Sequence, residues 1–500
     1  MGPVMRACVT AAALALGVCG CAVGPDFKRP AAPASPGYGS APMQGQTAAT
    51  VGAAGAAQQF DAGRDIPAQW WTMFQSPALD RLVAAALKGN PNVGAAQAAL
   101  RQARELYSAQ WTAYIPTLQG GFSADRSKFP TDTLTSPTTA PSSVYTLYTA
   151  QLSLSYAPDV FGGTRRAVEL AKAQAEVGRF QLEATYLTLT SNVVVTAVQE
   201  ASLRGQIAAT IRLLELQHQL TDTVQKQKGL GTASDLDVLA QQASEAQTAQ
   251  TLPPLRKQLG QTRDALTALL GRLPAEEPAE TFRLEDLTLP TELPVSVPSK
   301  LIEQRPDVRQ AEANLHAASA ADGMALANML PQFAITGDLG SSALKLGQLF
   351  TPYTGFWDLG ASLTQTLFDA GALIHRHRAA DAALDQAAAQ YRGAVILACQ
   401  NVADTLRALQ ADADALKASV EAERAARTTL ELSRRQLGLG TISQVALLNA
   451  ETADRQAELA VVQAVANRFA DTAGLFQSLG GGWWNRTEEP QYEQFGRTAR

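Results

Sequence analysis

The chain has 500 residues, 46% of them hydrophobic, with a formal net charge of -5 and no basic block anywhere. That is ample apolar material for a core, which excludes disorder for most of the length, and the missing positive footprint excludes a nucleic-acid binder. Length alone predicts about three domains, a count that an internal repeat will replace with one body built twice.

At the N-terminus Arg6, an apolar run from Ala7 to Val18 and small residues form the pattern of an export signal over residues 1–20, too short to span a membrane as a helix. Val18-Cys19-Gly20 before Cys21 resembles the lipobox of bacterial lipoproteins, which would make Cys21 the lipidated first residue of the mature chain. Ala22, and not Asp, then follows the anchor, and by the same resemblance this implies delivery to the outer membrane. Of the other cysteines, Cys8 and Cys19 leave with the signal, so Cys399 remains alone as a small apolar residue of a helix. Residues 21–60, rich in Pro, Ala, Gly, Ser and Gln, read as a tether. No later run is apolar for 18 residues, so any crossing of a membrane is made by strands.

A first repeat is expected over residues 61–271. It opens near Trp70 and Trp71, and Ser76-Pro77 has the form of an N-cap followed by proline at the first helical position. A helix from Pro77 to about Ala113 is expected, broken or kinked at Asn90-Pro91. After Pro116 the period falls to two. Leu118, Gly120, Phe122 and Ala124 share one face, and beyond a polar loop over 127–143 so do Tyr148, Ala150, Leu152, Leu154 and Tyr156. About nine alternating residues with a tyrosine at each end match a membrane strand; the alternative on base rates is a soluble hairpin with one face on a core. Tyr148, Tyr156 and Trp357 are the candidate membrane girdle.

Two long Ala-rich runs then flank Gly229-Leu230-Gly231-Thr232, with Ser234 two residues on. The same tetrapeptide returns as Gly438-Leu439-Gly440-Thr441, followed by Ser443, and reads each time as the tip of a long helical hairpin. Pro306 and Pro331 both lie 215 residues after Pro91 and Pro116, and Gly438 and Gly480 both lie 209 after Gly229 and Gly271. The chain is therefore a tandem duplication: a linker over 272–300, a second repeat over 301–480 and a closing segment over 481–500. In the second repeat the alternating segments are Phe333 to Gly340 and Trp357 to Thr364.

Four strands are too few to close a barrel, and an open sheet edge cannot face lipid, so either the strands are not in a membrane or several chains share one barrel. Val402, Leu406, Leu409, Ala413, Leu416 and Val420 form a heptad seam whose expected partner is the antiparallel helix across the tip. A cylinder of helices around water would satisfy both that seam and the Gln, Asn and Thr elsewhere on the helices.

Cys21-Ala22-Val23-Gly24-Pro25-Asp26-Phe27-Lys28-Arg29-Pro30, Leu293-Pro294-Val295-Ser296-Val297-Pro298-Ser299, Arg305-Pro306-Asp307, Ala311-Glu312 and the two tips resemble the outer membrane factors of tripartite efflux systems, a lipoprotein branch with a TolC-like fold. The resemblance spans essentially the whole mature chain. It implies a mainly α fold with a membrane β-barrel part: a homotrimer whose twelve strands close one barrel in the outer membrane above a tunnel of twelve helices. It further implies a passive exit duct for small toxic compounds, with a periplasmic adaptor, an inner membrane efflux transporter and outer membrane lipid as partners. A mixed belt would use the segments near Trp70 and the C-terminal stretch.

By the same resemblance Gly229, Leu230, Gly231, Thr232 and Ser234, with Gly438, Leu439, Gly440, Thr441 and Ser443, dock the adaptor. Asp235, Asp237 and Gln444 are the candidate gate; for Asp235, stabilisation of a helix N-terminus is an equal reading. His375 and His377 sit two apart, off a shared helical face and without ligand spacing, and no arrangement for catalysis or cofactor binding appears. The rivals are a type I secretion duct and a lipid-anchored structural or adaptor coiled coil.

Overall fold

Two of the helices run for 67 residues each, and both end at the glycine that opens a tip. The computed structural model describes residues 22–33, 35, 37–39, 44–62, 64–128 and 144–486. The export signal, Cys21, most of the 127–143 loop and the end of the closing segment lie outside them.

In chain order the elements are β1 (Gln59–Asp61), α1 (Pro77–Gly89), α2 (Pro91–Trp111), β2 (Thr117–Lys128), β3 (Val144–Tyr156), α3 (Gly163–Gly229), α4 (Asp235–Ala249) and α5 (Leu252–Leu269). There follow β4 (Glu292–Pro294), α6 (Pro298–Gln304), α7 (Pro306–Ala327), β5 (Gln332–Ala343), β6 (Gly355–Thr364), α8 (Ala372–Gly438) and α9 (Gln444–Ser478). The expected order of helix, strand pair, long helix, tip and return helix is present twice. Among the described residues no helix is long and apolar enough to cross a membrane.

The expected break at Asn90-Pro91 is present: α1 and α2 are separate helices, because Pro91 has no N–H to continue the ladder and Asn90 turns extended with ψ of 123°. Two expectations need correction. The return arm of the first hairpin is also interrupted, at Gln250 and Thr251, where the amides that Pro253 and Pro254 lack would have bonded the preceding turn. Its counterpart α9 has no proline and runs unbroken for 35 residues. Finally, the end of the 21–60 stretch is not a loose tether. β1 pairs in parallel with β4, and Gln58 is buried, donating to Pro290 O at 3.0 Å and to Thr472 Oγ1 at 2.9 Å.

The chain forms two compact units. One comprises Met1–Arg29, Arg101–Val177 and Ala311–Gln390, and the other Pro30–Leu100, Gly178–Gln310 and Tyr391–Arg500. In the first, β2, β3, β5 and β6 form one antiparallel sheet in that order. Register decides its chemistry. Phe122 faces Ala150, Leu152 faces Gly120 and Leu339, and Leu339 faces Trp357, so the apolar alternation of all four strands falls on one face. The other face carries Gln119, Ser123, Ser153, Asp338, Ser342 and Ser362, cross-linked by Thr149 Oγ1 to Ser342 Oγ at 3.2 Å and by Ser153 to Asp338. Within this unit Arg166 also holds the segment behind Cys21: Nη2 donates to Asp26 Oδ1 at 2.8 Å and to Gly24 O at 3.2 Å, while Phe27 stacks on His316 at 4.4 Å.

The second unit holds the largest fully buried apolar side chains. Every residue of the expected seam, Val402 through Val420, is buried. Its partner is α9: Thr405 meets Gly474, Arg434 pairs with Glu451 at 3.0 Å, and Leu430 and Leu437 pack on Leu447 and Ala450. α9 also packs on α3, through Ser191 Oγ to Gln477 Oε1 at 2.7 Å and Arg212 to Glu458 at 3.2 Å, so the two hairpins lie side by side. Trp70 stacks on Phe476 at 5.2 Å and Trp483 packs edge-on to Phe180 at 5.9 Å, which brings both aromatic segments of the expected belt into this unit.

Candidate functional site

The tips are made by backbone. Gly231 has φ of 75°; its N–H bonds Lys228 O at 2.9 Å, and the N–H of Thr232 reaches back to Gln227 O at 2.9 Å. Those two bonds are the Schellman closure, which satisfies the carbonyls a helix leaves open at its end and needs a residue that tolerates positive φ. Gly440, at φ of 69°, repeats it onto Leu437 O at 2.9 Å, with Thr441 onto Gln436 O at 3.0 Å. In each tip the threonine hydroxyl adds a bond to the same glutamine carbonyl, at 3.0 Å.

Each return helix is then capped by its serine. Ser443 Oγ accepts from Ala446 N at 3.2 Å, and Ser234 Oγ accepts from Asp237 N at 3.3 Å. At the first tip Asp237 returns the favour, accepting from Ser234 N at 2.8 Å and Ser234 Oγ at 2.7 Å, a reciprocal capping box. The Ser234 amide, and then its hydroxyl, hold the Asp237 carboxyl below the usual carboxylate range. Asp235 pairs with Lys228 across the turn. Of the candidate gate residues, Asp237 is therefore engaged in a cap, Asp235 in an ion pair, and Gln444 lies exposed at the other tip.

Neither closure uses its leucine. Leu230 is 80% exposed and Leu439 78%, with Leu236 and Leu239 exposed beside the first tip. Behind the tips the helices are stitched together: Leu220 and Val224 of α3, Val238 of α4 and Leu448 of α9 form one buried cluster. Each tip is thus an apolar point on a packed stem.

Of the girdle candidates, Tyr148 and Tyr156 lie on the apolar face of the sheet, as does Trp357. The register aligns Trp357, near the start of the edge strand β6, through Leu339 with Leu152, four residues from each tyrosine. Cys21 lies outside the described residues, next to the segment that Arg166 holds. Sequence reasoning missed this clasp, although Val23-Gly24-Pro25-Asp26-Phe27 was visible as a motif. It also missed Arg468, wholly buried and donating to Ala54 O, Ala56 O, Thr47 Oγ1 and Gln58 Oε1. An arginine in an Ala-rich helix carries no signal that its partners lie more than 400 residues away.

A sheet with one apolar face, one polar face and two free edges, joined to tandem hairpins of long helices, defines an outer membrane channel of TolC-like fold. The comparisons agree. The chain belongs to the outer membrane efflux protein family, whose model matches residues 82–272 and 297–481. It is 29% identical over 457 residues to the pyoverdine export outer membrane protein OpmQ of Pseudomonas putida, covering 90% of this chain and 94% of the relative. The toluene efflux pump outer membrane protein TtgF of P. putida is 28% identical over 481 residues, 96% of this chain and 97% of the relative. Among solved structures, the outer-membrane channel OprN superposes with a TM-score of 0.80 at 28% identity, over 93% of this chain and all of that one. The open-state MtrE channel of Neisseria gonorrhoeae, at 24% identity and a TM-score of 0.74 over 94% of this chain and all of that one, shares the fold. The protein is an outer membrane channel of an efflux pump, and its location is the outer membrane.

Proposed function

We propose that three copies of this chain close a twelve-stranded barrel and continue it as a helical duct, which a periplasmic adaptor docks at the tips and joins to an inner membrane transporter. The duct is passive and performs no chemistry on its cargo. Small toxic organic molecules are the cargo class, in keeping with relatives named for pyoverdine, toluene and solvent efflux. Cys21 carries the lipid anchor.

The observation that carries the docking role is the repeated tip, with its leucine outward. A Cβ at Gly229 or Gly438 would meet nothing within 4 Å, and neither has positive φ, so nothing in this chain asks for glycine there. A partner that approaches the backbone closely does. Gating follows as rearrangement of the tip: release of Asp235 from Lys228 frees one side of the turn without breaking either Schellman closure.

The test is crosslinking in cells from Thr441→Cys in a Cys399→Ala background, with a short thiol-to-amine reagent and mass spectrometry of the trapped protein. Recovery of a periplasmic adaptor is expected. Recovery of only the channel's own protomers, with the pump expressed, would overturn the docking role.

A further inference from the structure

At one end of β2 the apolar face stops being apolar. Continuing the alternation of Leu118, Gly120, Phe122 and Ala124 places Arg126 and Lys128 on the same face, level with Thr146 and Val144 of β3. Lys345 follows Ala343, the last residue of β5, by two positions with extended backbone (φ −129°, ψ 136°), and the rung through Tyr148 and Ala343 sets it level with Thr146 and Arg126. At roughly 4.8 Å between strands and 3.4 Å per residue, the backbone positions of the three cations lie within about 12 Å of one another. All three are exposed, and among the described residues none pairs with a carboxylate.

Beside them the same face is hollow. Gly120 shares a rung with Leu152 and Leu339, and on the neighbouring rung of the same face the small Ala150 and Ser341 lie beside Phe122. The β5–β6 connection folds back over this face: Ser341 Oγ donates to Leu349 O and lies 2.7 Å from Thr354 Oγ1, which buries Leu349 and Ala343. Phe350 borders an open recess of about 590 Å³ lined by Gly120, Phe122, Ala150, Leu152, Leu339 and Ser341. Leu344, Leu346, Phe350 and Tyr353 of the connection remain exposed.

We propose that this recess and the Arg126, Lys128 and Lys345 cluster form a site for a phosphate-bearing, acylated lipid of the outer leaflet, with an acyl chain in the hollow and phosphate on the cations. The inference rests on the outer membrane channel reading. Apolar side chains on a membrane face need no partner, but cations at the rim of that face do, and a lipid phosphate complements them. The end of the sheet is set by topology: the cations sit at the β2–β3 and β5–β6 connections, the end opposite the long helices.

The test reconstitutes the full protein in nanodiscs and titrates hexa-acylated diphosphoryl lipid A, with phosphatidylglycerol as competitor. Each cation facing phosphate contributes roughly a factor of five, so Arg126→Ala/Lys128→Ala/Lys345→Ala is expected to weaken binding on the order of a hundredfold. Gly120→Leu keeps the charges, fills the hollow and is expected to weaken it about tenfold. Binding unchanged in either variant, or displacement of lipid A by an equal amount of phosphatidylglycerol, would overturn the site. The oligomeric state of the same samples, read by native mass spectrometry, separates the two readings: a trimer with unchanged lipid binding sinks only the lipid site, whereas a monomer in the unaltered protein sinks the channel reading and the site with it.

Discussion

Asp412 of α8 and Asp471 of α9 face each other across the second hairpin, and burial, then the hydrogen bond and charge of Asp471, push the Asp412 carboxyl from 3.8 up to about 7 against the pull of Arg468. Arg468 is itself buried and shifted down by that burial. Because the folded state holds this proton more tightly than the unfolded one, its contribution to stability is complete below about pH 4 and is lost as pH climbs to about 7. Asp412→Asn should therefore match the unaltered protein in thermal melting near pH 4 and exceed it above pH 7; parallel melting curves across that range would refute the assignment. At the tips the argument is conformational. Gly440→Ala places a side chain at φ of 69° and is expected to cost about 1 kcal/mol, measurable by denaturant unfolding, whereas Gly438→Ala, with open space before it and no positive φ, should cost little.

Between elements, the seam of α8 is buried along its whole length. Leu409 is fully buried where α8 packs, and Leu409→Ala should lower stability by about 2–5 kcal/mol in chemical denaturation. Leu439→Glu, on the exposed side of the tip, should leave melting unchanged while removing adaptor capture. The contrast between these two leucines also measures what sequence conveys. Periodicity revealed the seam, the strands and both tips, because each depends on residues close in the chain. Register was not legible: that Trp357 shares a rung with Leu339 and Leu152 depends on pairing between strands far apart in the chain. The break at Pro253 and Pro254 was legible and overlooked. Long-range clasps were not: Arg166 on Asp26 and Arg468 on the 47–58 stretch depend on where the fold carries distant residues. The gate was only half visible, since an acidic residue after a tip has the same sequence signature whether it caps a helix, as Asp237 does, or lines a pore.

For the whole molecule, arithmetic forces assembly. β2 and β6 are the edges of the sheet and carry unpaired backbone groups, which lipid does not tolerate. Four strands cannot close on themselves, and with β2 and β6 running antiparallel, the edge of one copy can pair with the opposite edge of the next. Native mass spectrometry of the mature protein released from detergent tests this most directly. A dominant species of three chains is predicted. A dominant monomer or dimer that still conducts ions in a bilayer would contradict the account, because four or eight of these strands would leave open edges or too narrow a barrel for the duct.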